Sequence, residues 1–325
     1  MKSPSEVLSN MTRRLKPGWK LLAPWGIANP ELMNSTPSHC LLPGEAFVDA
    51  MATSGIAQDP DDLSINSAEA DVFMVLGLWR LSKGVYKVSP DLLGEVRSSG
   101  LPSTIPTDVL LRLPEWAIYI DLKGLGVYHD GDVDGAWVCA EHRQSTGADR
   151  LLVLAVRYDD PGTRGMTILQ STLDMSVSDF DEMVNTLSDD ELRVAETYGL
   201  GKTREPCPSR KALLDIIIKI LLYICSSEPD IEDRDEPDVK PSRAHMQRIG
   251  KRDMFVAADR VRVWNVGDRV GEVIRNYNEQ PKDRKHTRRH LRRAHWHGYW
   301  TGKRGSDERE FSYKWLSPMV VGVSP

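Results

Sequence analysis

Four strand-like runs sit close together between Pro114 and Thr172, and no other feature of this chain restricts its fold as much. They are Pro114–Asp121, Ala136–Ala140, Leu151–Tyr158 and Met166–Thr172. A parallel connection needs a crossover of about a dozen or more residues, usually a helix, whereas antiparallel neighbours need only a turn. His129-Asp130-Gly131-Asp132-Val133-Asp134-Gly135 offers such a turn, because its Asp/Gly pairs accept positive φ. The expectation is an α+β fold: an antiparallel sheet of about four strands with helices packed on one face. Within the first run, a period of two places Trp116 and Ile118 opposite Ala117 and Tyr119.

Helical patterns flank this block. Residues 1–43 are interrupted by Pro17-Gly18, Pro24, Pro30, Pro37 and Pro43, and read as loop with short helical pieces. Gly44–Thr53 and Ser67–Ser82 carry helical periodicity, with Phe73, Leu76, Trp79 and Arg80 on one stripe and Gly84 placed to end the second helix. Ser89-Pro90-Asp91 combines an N-cap with proline at the first helical position and opens a helix to about Arg97. Ser178–Glu182 and Ser188–Thr197 read as acidic helices, the second with a capping box of Ser188 and Glu191. Ser209–Cys225 is apolar nearly all round, the pattern of a central buried helix, with Asp215 and Lys219 spaced to pair at its solvent edge.

Beyond these, Glu228–Lys240 is charged, is broken by Pro229 and Pro237, and reads as a linker. Val261–Val266 is strand-like, and Gly267-Asp268 opens a helix to Tyr277 with Val270, Val273, Ile274 and Tyr277 on one side. Four regions result: an irregular or helical region 1–66, an acidic α+β core 67–227, the linker 228–240, and a basic C-terminal strand–helix–hairpin unit 241–325.

Composition narrows the function classes. The most apolar stretch, Ala212–Cys225, contains Asp215 and Lys219 and falls short of the ~20 residues that span a bilayer. Met1–Glu6 lacks an apolar signal core, so no secretory signal is expected. Cys40, Cys139, Cys207 and Cys225 lie far apart without a CxxC pair, which opposes a zinc ribbon or disulfide framework and fits a reducing compartment. The expectation is a soluble cytoplasmic protein that makes no membrane contact. No nucleotide-binding glycine fingerprint and no Gly-x-Ser-x-Gly occurs, so no cofactor is expected.

The formal net charge of −5 conceals two opposed regions: Lys240–Arg304 holds 18 Lys and Arg against 6 Asp and Glu, while residues 1–239 carry −16. The basic region peaks between Lys285 and Trp300, with Arg288, Arg289, Arg292, Arg293, four histidines and three large aromatics but no acid. Basic residues interleaved with aromatics are the footprint expected for phosphate backbones. The intramolecular alternative is a basic arm docked on the acidic body.

Within it, Ala294–Thr301 reads as a strand, with Ala294, Trp296, Gly298 and Trp300 on one side and Arg293, His295, His297 and Tyr299 on the other. Glu310–Trp315, where Phe311, Tyr313 and Trp315 alternate with polar residues, is a partner for a hairpin closed by Gly302–Ser306. Such a hairpin sets an aromatic face on the core and an Arg/His/Tyr face outward. That outward face suits recognition of RNA or an acidic peptide. Three other readings compete. His295-x-His297 could chelate a metal, but no Asp, Glu or Cys lies nearby and the arginines oppose a dication, so no metal is expected. The paired histidines could run acid–base cleavage of RNA. A packed Trp/His hairpin with a purely structural role is the last.

Weaker signals resolve into ordinary structure. Gly199-Leu200-Gly201-Lys202-Thr203 lacks the spacing of a phosphate loop and reads as a helix C-terminal turn. Asp130, Asp132 and Asp134 alternate like calcium ligands, but no glutamate closes a twelve-residue loop, so a hairpin turn is expected.

Three stretches together resemble a known family. They are Ile105-Pro106-Thr107 leading into Leu113–Asp121, then Val266–Arg275, and then His286–Gly302 with the later Trp315 and Pro318. The family is the second type V-A anti-CRISPR family, inhibitors carried by phages and plasmids and directed at the type V-A CRISPR effector nuclease. The resemblance runs from about Ala70 to the end of the chain. It implies a protein without a demonstrated reaction of its own, which lowers production of the effector. The resemblance further implies recognition of the effector's nascent N-terminal peptide during translation, with loss of its mRNA as the result.

Such a mechanism needs one surface for a peptide and one for mRNA or the ribosome. The nucleic-acid candidates are Lys285, Arg288, Arg289, Arg292 and Arg293. The functional cluster comprises His286, His290, His295, Trp296, His297, Tyr299 and Trp300. The peptide candidates are Trp116, Tyr119 and Asp121, where an aromatic surface adjoins an acid. The −16 body should attract a basic extended segment, and an unpaired sheet edge can take one by strand addition. A core role for Trp116 is the alternative.

Overall fold

The computed structural model describes residues 3–56, 63–127, 131–158, 166–185, 208–279, 290–292, 295–303, 309–316 and 319–321. A mixed sheet of seven strands runs through its centre. Six of them are β1 (Gly84–Val88), β2 (Ala117–Asp121), β3 (Gly135–Arg143), β4 (Ala148–Tyr158), β5 (Met166–Asp174) and β6 (Ile231–Asp233). A small separate hairpin, β7 (Gln247–Ile249) and β8 (Arg252–Met254), precedes the seventh, β9 (Arg262–Val266). The order across the sheet is β5-β4-β3-β2-β1-β9-β6.

The expected meander is present: β2 to β5 pair antiparallel in sequence order, with Ile118 opposite Val138 and Val153 opposite Ser171. The sheet then extends past it. β1 lies parallel to β2, β9 lies parallel to β1, and β6 closes the far edge antiparallel to β9. The parallel step from β1 to β2 is made through two helices, α6 (Pro90–Ser98) and α7 (Thr107–Leu110), as a crossover requires.

Gly84 has a different role from the helix terminator expected of it. The preceding helix, α5 (Leu63–Trp79), ends earlier, and it is Lys83 that takes the positive φ of 52°. Gly84 opens β1, where an added Cβ would lie 1.9 Å from Oε2 of Glu115. Ile231–Asp233 lies inside the segment read as a linker, yet it is a strand of the sheet. Asp233 is buried there, where its Oδ1 accepts the Asp235 and Glu236 amide hydrogens at 2.8 Å each and its Oδ2 faces Arg262 Nη1 at 3.1 Å.

Helices cover both faces of the sheet, not one. One face carries α5 with α1 (Pro4–Trp19), α2 (Leu22–Ala28), α3 (Pro30–Ser35) and α4 (Gly44–Ser54). Its core joins Val7, Leu15, Phe47, Phe73 and Trp79 to Ala117, Tyr119, Trp137, Cys139, Leu152 and Leu154. The other face carries α6, α7, α8 (Phe180–Asn185), α9 (Pro208–Ile224) and α10 (Asp268–Glu279). Its core joins Leu92, Leu110, Ile217 and Leu221 to Ile118, Ile120, Val138, Val153 and Trp264. The strict alternation of strand residues between the two cores is the period of two at work. Both sets of residues are apolar because neither face meets water.

The N-terminal region is more helical than its prolines suggested. Pro17 falls near the C-terminal end of α1, and Ser3 and Glu6 close a capping box at its start. The Trp19 indole donates to the Phe73 carbonyl at 3.0 Å and joins α1 to α5. On the other face, α9 is the buried helix its sequence describes. Lys219 is itself buried there, and Asp215, 2.8 Å away, keeps the water-facing end of the pair. The candidate helix Ser188–Thr197 and the Gly199–Thr203 turn lie outside the described residues. Among the described residues no helix is long and apolar enough to cross a membrane.

Candidate functional site

The C-terminal unit is assembled on the end of β9. Gly267 adopts φ +78°, and a Cβ there would meet Leu92 Cδ2 at 2.3 Å. The Gly267 amide donates to the Asp230 carbonyl, and the Arg269 and Val270 amides donate to the Asp230 carboxylate at 2.8 and 3.3 Å. A carboxylate from outside the helix thus caps α10 and meets its positive end. Arg269 pairs with Asp230 and Glu232, and Arg275 with Asp91, so the arginines of Val266–Arg275 fasten α10 to its neighbours. Val270 and Ile274 pack on the core, but Val273 is exposed. It leaves the stripe expected of it.

Two antiparallel pairs follow: β10 (His290–Arg292) with β13 (Met319–Val321), and β11 (His295–Thr301) with β12 (Glu310–Leu316). The second pair is the expected hairpin, with Trp296 opposite Trp315, His297 opposite Lys314 and Trp300 opposite Phe311. Alternation sets His295, His297 and Tyr299 on one side. The His297 and Tyr299 ring centroids are 4.4 Å apart, and the His295 and His297 rings lie edge to face at 6.5 Å. His297 and Tyr299 are exposed and His295 is half-buried.

On the other side Trp296 packs on the core around α9. Trp300 is 56% exposed, with the Arg309 guanidinium 4.5 Å above its ring. The expectation that this whole face packs inward holds at Trp296 and fails at Trp300. Lys314 ties the hairpin to the body through Glu228 at 2.5 Å. The hairpin therefore exposes imidazole and phenol on one face and, on the other, an indole under a guanidinium, groups suited to hydrogen bonding and stacking. Of the other candidates, His290 and Arg292 contribute backbone to β10, while Lys285, His286, Arg288, Arg289 and Arg293 lie outside the described residues.

Trp116, Tyr119 and Asp121 do not form a common surface. β2 is paired on both sides, by β1 and β3, so it offers no open edge. Tyr119 is a core residue, edge to face with Trp137 at 4.9 Å and with its hydroxyl 3.4 Å from that of Tyr158. Burial, and then the neighbouring Tyr158, raise its phenol well above the ordinary range. Asp121 ends β2, and its carboxylate accepts the Lys123 amide at 3.2 Å. Trp116 precedes the regular strand and packs on the same face as Ala117 and Tyr119, not opposite them. Its indole donates to the Ala244 carbonyl at 2.5 Å, and the Arg243 guanidinium stacks 4.8 Å from its ring.

Two residues that pattern reading passed over are central to this region. Glu115 is buried, and its carboxylate accepts the Trp264 indole and the Ser82 hydroxyl at 3.1 Å each. Burial pushes its carboxyl up to about 7, against the lowering effect of Ser82, Trp264 and Arg262. Arg243 donates to the carbonyls of Leu113 and Ser38 and strides across the Trp116 ring. An acid inside an apolar strand run is a readable signal for Glu115. Arg243 gives none, because its partners are remote in sequence.

Comparison with known proteins agrees with this architecture. Residues 86–323 match the AcrVA2-like family, the anti-CRISPR type V subtype A2 family. The chain is similar to protein FinQ of Escherichia coli, 26% identical over 217 residues that make up 63% of this chain and 61% of that protein. It thus spans less than two thirds of that relative's length. A crystal structure of AcrVA2 shares the fold, with a TM-score of 0.63 over 96% of each chain at 22% identity. The family match runs from β1 through the paired C-terminal strands, well over half the molecule, and on that ground the chain belongs to the anti-CRISPR type V subtype A2 (AcrVA2-like) family.

Proposed function

We propose that this protein lowers production of a type V-A CRISPR effector nuclease by recognising the effector's nascent N-terminal peptide and causing loss of its mRNA. The observation that carries this reading is the family match over residues 86–323, which includes the exposed hairpin residues His297, Tyr299 and Trp300. The work would take place where the host bacterium translates, in its cytoplasm. The opposed charges of the chain supply two kinds of surface. The −16 body attracts a basic peptide segment, and the basic C-terminal region faces RNA or the ribosome. The hairpin contributes stacking faces and hydrogen-bond donors, and Lys285, Arg288, Arg289, Arg292 and Arg293, which precede it in the sequence, are the residues proposed to meet phosphates.

The test is co-expression with a type V-A effector, followed by measurement of effector protein and effector mRNA. Both are expected to fall with the native chain and to recover with His297→Ala/Tyr299→Ala. Unchanged effector protein, mRNA and targeting activity with the native chain reject the reading. Cleavage of RNA by the purified protein without metal, abolished by His295→Ala or His297→Ala, replaces it with a ribonuclease. Salt-dependent RNA binding without affinity for any effector peptide replaces it with an RNA-binding module.

A further inference from the structure

We propose that the cavity beside Arg243 is a carboxylate-binding pocket, able to take the acidic side chain or the terminal carboxylate of a peptide. The cavity has a volume of about 460 Å³, and its walls include Arg243, Arg112, His39, Asp108, Leu111 and Leu113. It is remote in sequence from the hairpin and does not depend on the function proposed above.

Arg243 makes this cavity more than a surface dent. Its Nε and Nη2 donate to the Leu113 carbonyl at 3.1 and 2.8 Å, and its Nη1 donates to the Ser38 carbonyl at 2.7 Å. These partners are neutral. Among the described residues no carboxylate lies within ion-pair distance of it. Burial lowers its affinity for the proton, yet a guanidinium stays charged in proteins. A half-buried cation held rigidly by carbonyls and an indole face, without a counter-charge, is a preformed seat for an anion. Of its five N–H groups, at least one on Nη1 has no partner among the described residues.

The walls choose among anions. Arg112 pairs with Asp108 at 2.5 Å, but both side chains are more than half exposed, so that pair is weak and Arg112 can exchange partners. The same Asp108 and the −16 charge of residues 1–239 oppose a polyanion such as RNA. A single carboxylate on an otherwise neutral or basic peptide meets much less repulsion. Leu111 and Leu113 suit the methylene stem of an acidic side chain. His39 adds a fixed wall, since its Nε2 is 3.0 Å from Asp149 Oδ1, which also meets His142 Nδ1 at 2.8 Å.

The Trp116 indole N–H, bonded to the Ala244 carbonyl beside Arg243, is a built-in reporter. Its ¹⁵N resonance in the full chain, assigned with Trp116→Phe, is followed at constant ionic strength during four titrations. The probes are N-acetylglutamate α-amide, N-acetylglycine, N-acetylglutamine α-amide and inorganic phosphate. Saturable shifts are expected with the two carboxylates, and the tighter of them identifies a side-chain or a terminal site. The neutral glutamine analogue should give none. Arg112→Gln should weaken carboxylate binding about three- to ten-fold, and Arg243→Lys, which keeps the charge but loses the fork, by about ten-fold. An unchanged resonance, an equal response to the glutamine analogue, or phosphate binding more tightly than either carboxylate overturns the assignment. Should Arg243→Lys fail to fold, the native titrations and Arg112→Gln still decide.

Discussion

Single residues set the balance of this fold at the junction of β1, β2 and β9. Glu115 sits there with its carboxyl raised to about 7. Between the ordinary carboxylate range and that value the native state holds a proton that the unfolded chain has released. Stability contributed at this site is therefore present at low pH and lost as pH rises through about 7, by roughly 3 kcal/mol for a shift of this size. Glutamine keeps the shape, can accept from the Trp264 indole and can donate to Ser82, but it does not ionise. Glu115→Gln should leave stability nearly unchanged at about pH 5 and raise it by ~1–3 kcal/mol at about pH 8. Urea unfolding at both pH values checks this, and an equal pH dependence in the two proteins rejects it. Gly84→Ala tests the same spot sterically. Its Cβ would strike the Glu115 carboxylate, so thermal unfolding should show a loss of about 1–3 kcal/mol.

At the level of elements, local patterns were legible and remote pairings were not. The hairpin β11–β12 could be read from Trp296, Gly298 and Trp300 alternating with His295, His297 and Tyr299, because strand periodicity is a local property. The two-sided burial of the sheet was also written in the sequence, in the unbroken run Leu151-Leu152-Val153-Leu154-Ala155-Val156. The expectation of helices on one face passed over that run. β1 and β6 are different. Each is short, and each is recruited by pairing with β9, which lies far along the chain from both. The Arg243–Trp116 stack belongs to the same class, since nothing near either residue announces the other.

Trp296 and Trp300, on the hairpin face opposite His295, His297 and Tyr299, should accordingly respond differently. Trp296 is half-buried against the α9 core, so Trp296→Ala should cost ~1.5–3 kcal/mol, about half the value for a fully buried aromatic. Trp300 is mostly exposed and stacks on Arg309, so Trp300→Ala should cost no more than about 1 kcal/mol. Denaturant unfolding of the two variants checks the contrast. Loss of effector silencing by Trp300→Ala at near-native stability would then mark recognition in place of packing, and equal destabilisation by both would make the hairpin face purely structural.

Across the whole molecule the governing quantity is the separation of charge, −16 over residues 1–239 against 18 basic and 6 acidic residues over Lys240–Arg304. Parts of the basic region are already spent within the molecule: Arg262 on Asp233, Arg269 on Asp230 and Glu232, and Arg275 on Asp91. That observation sharpens the question for Arg288, Arg289, Arg292 and Arg293, which either continue this internal pairing or meet phosphates. If they meet phosphates, replacing all four with glutamine should weaken RNA or ribosome association steeply. Each lost contact should then reduce the log–log salt slope by roughly 0.7 for single-stranded RNA. The melting temperature should barely move, because exposed pairs contribute only about 0–1 kcal/mol. Internal pairing predicts the reverse, a falling melting temperature with RNA affinity intact. Measuring both on one quadruple variant separates the two, and a large thermal loss with unaltered RNA affinity would end the assignment of these arginines to nucleic acid.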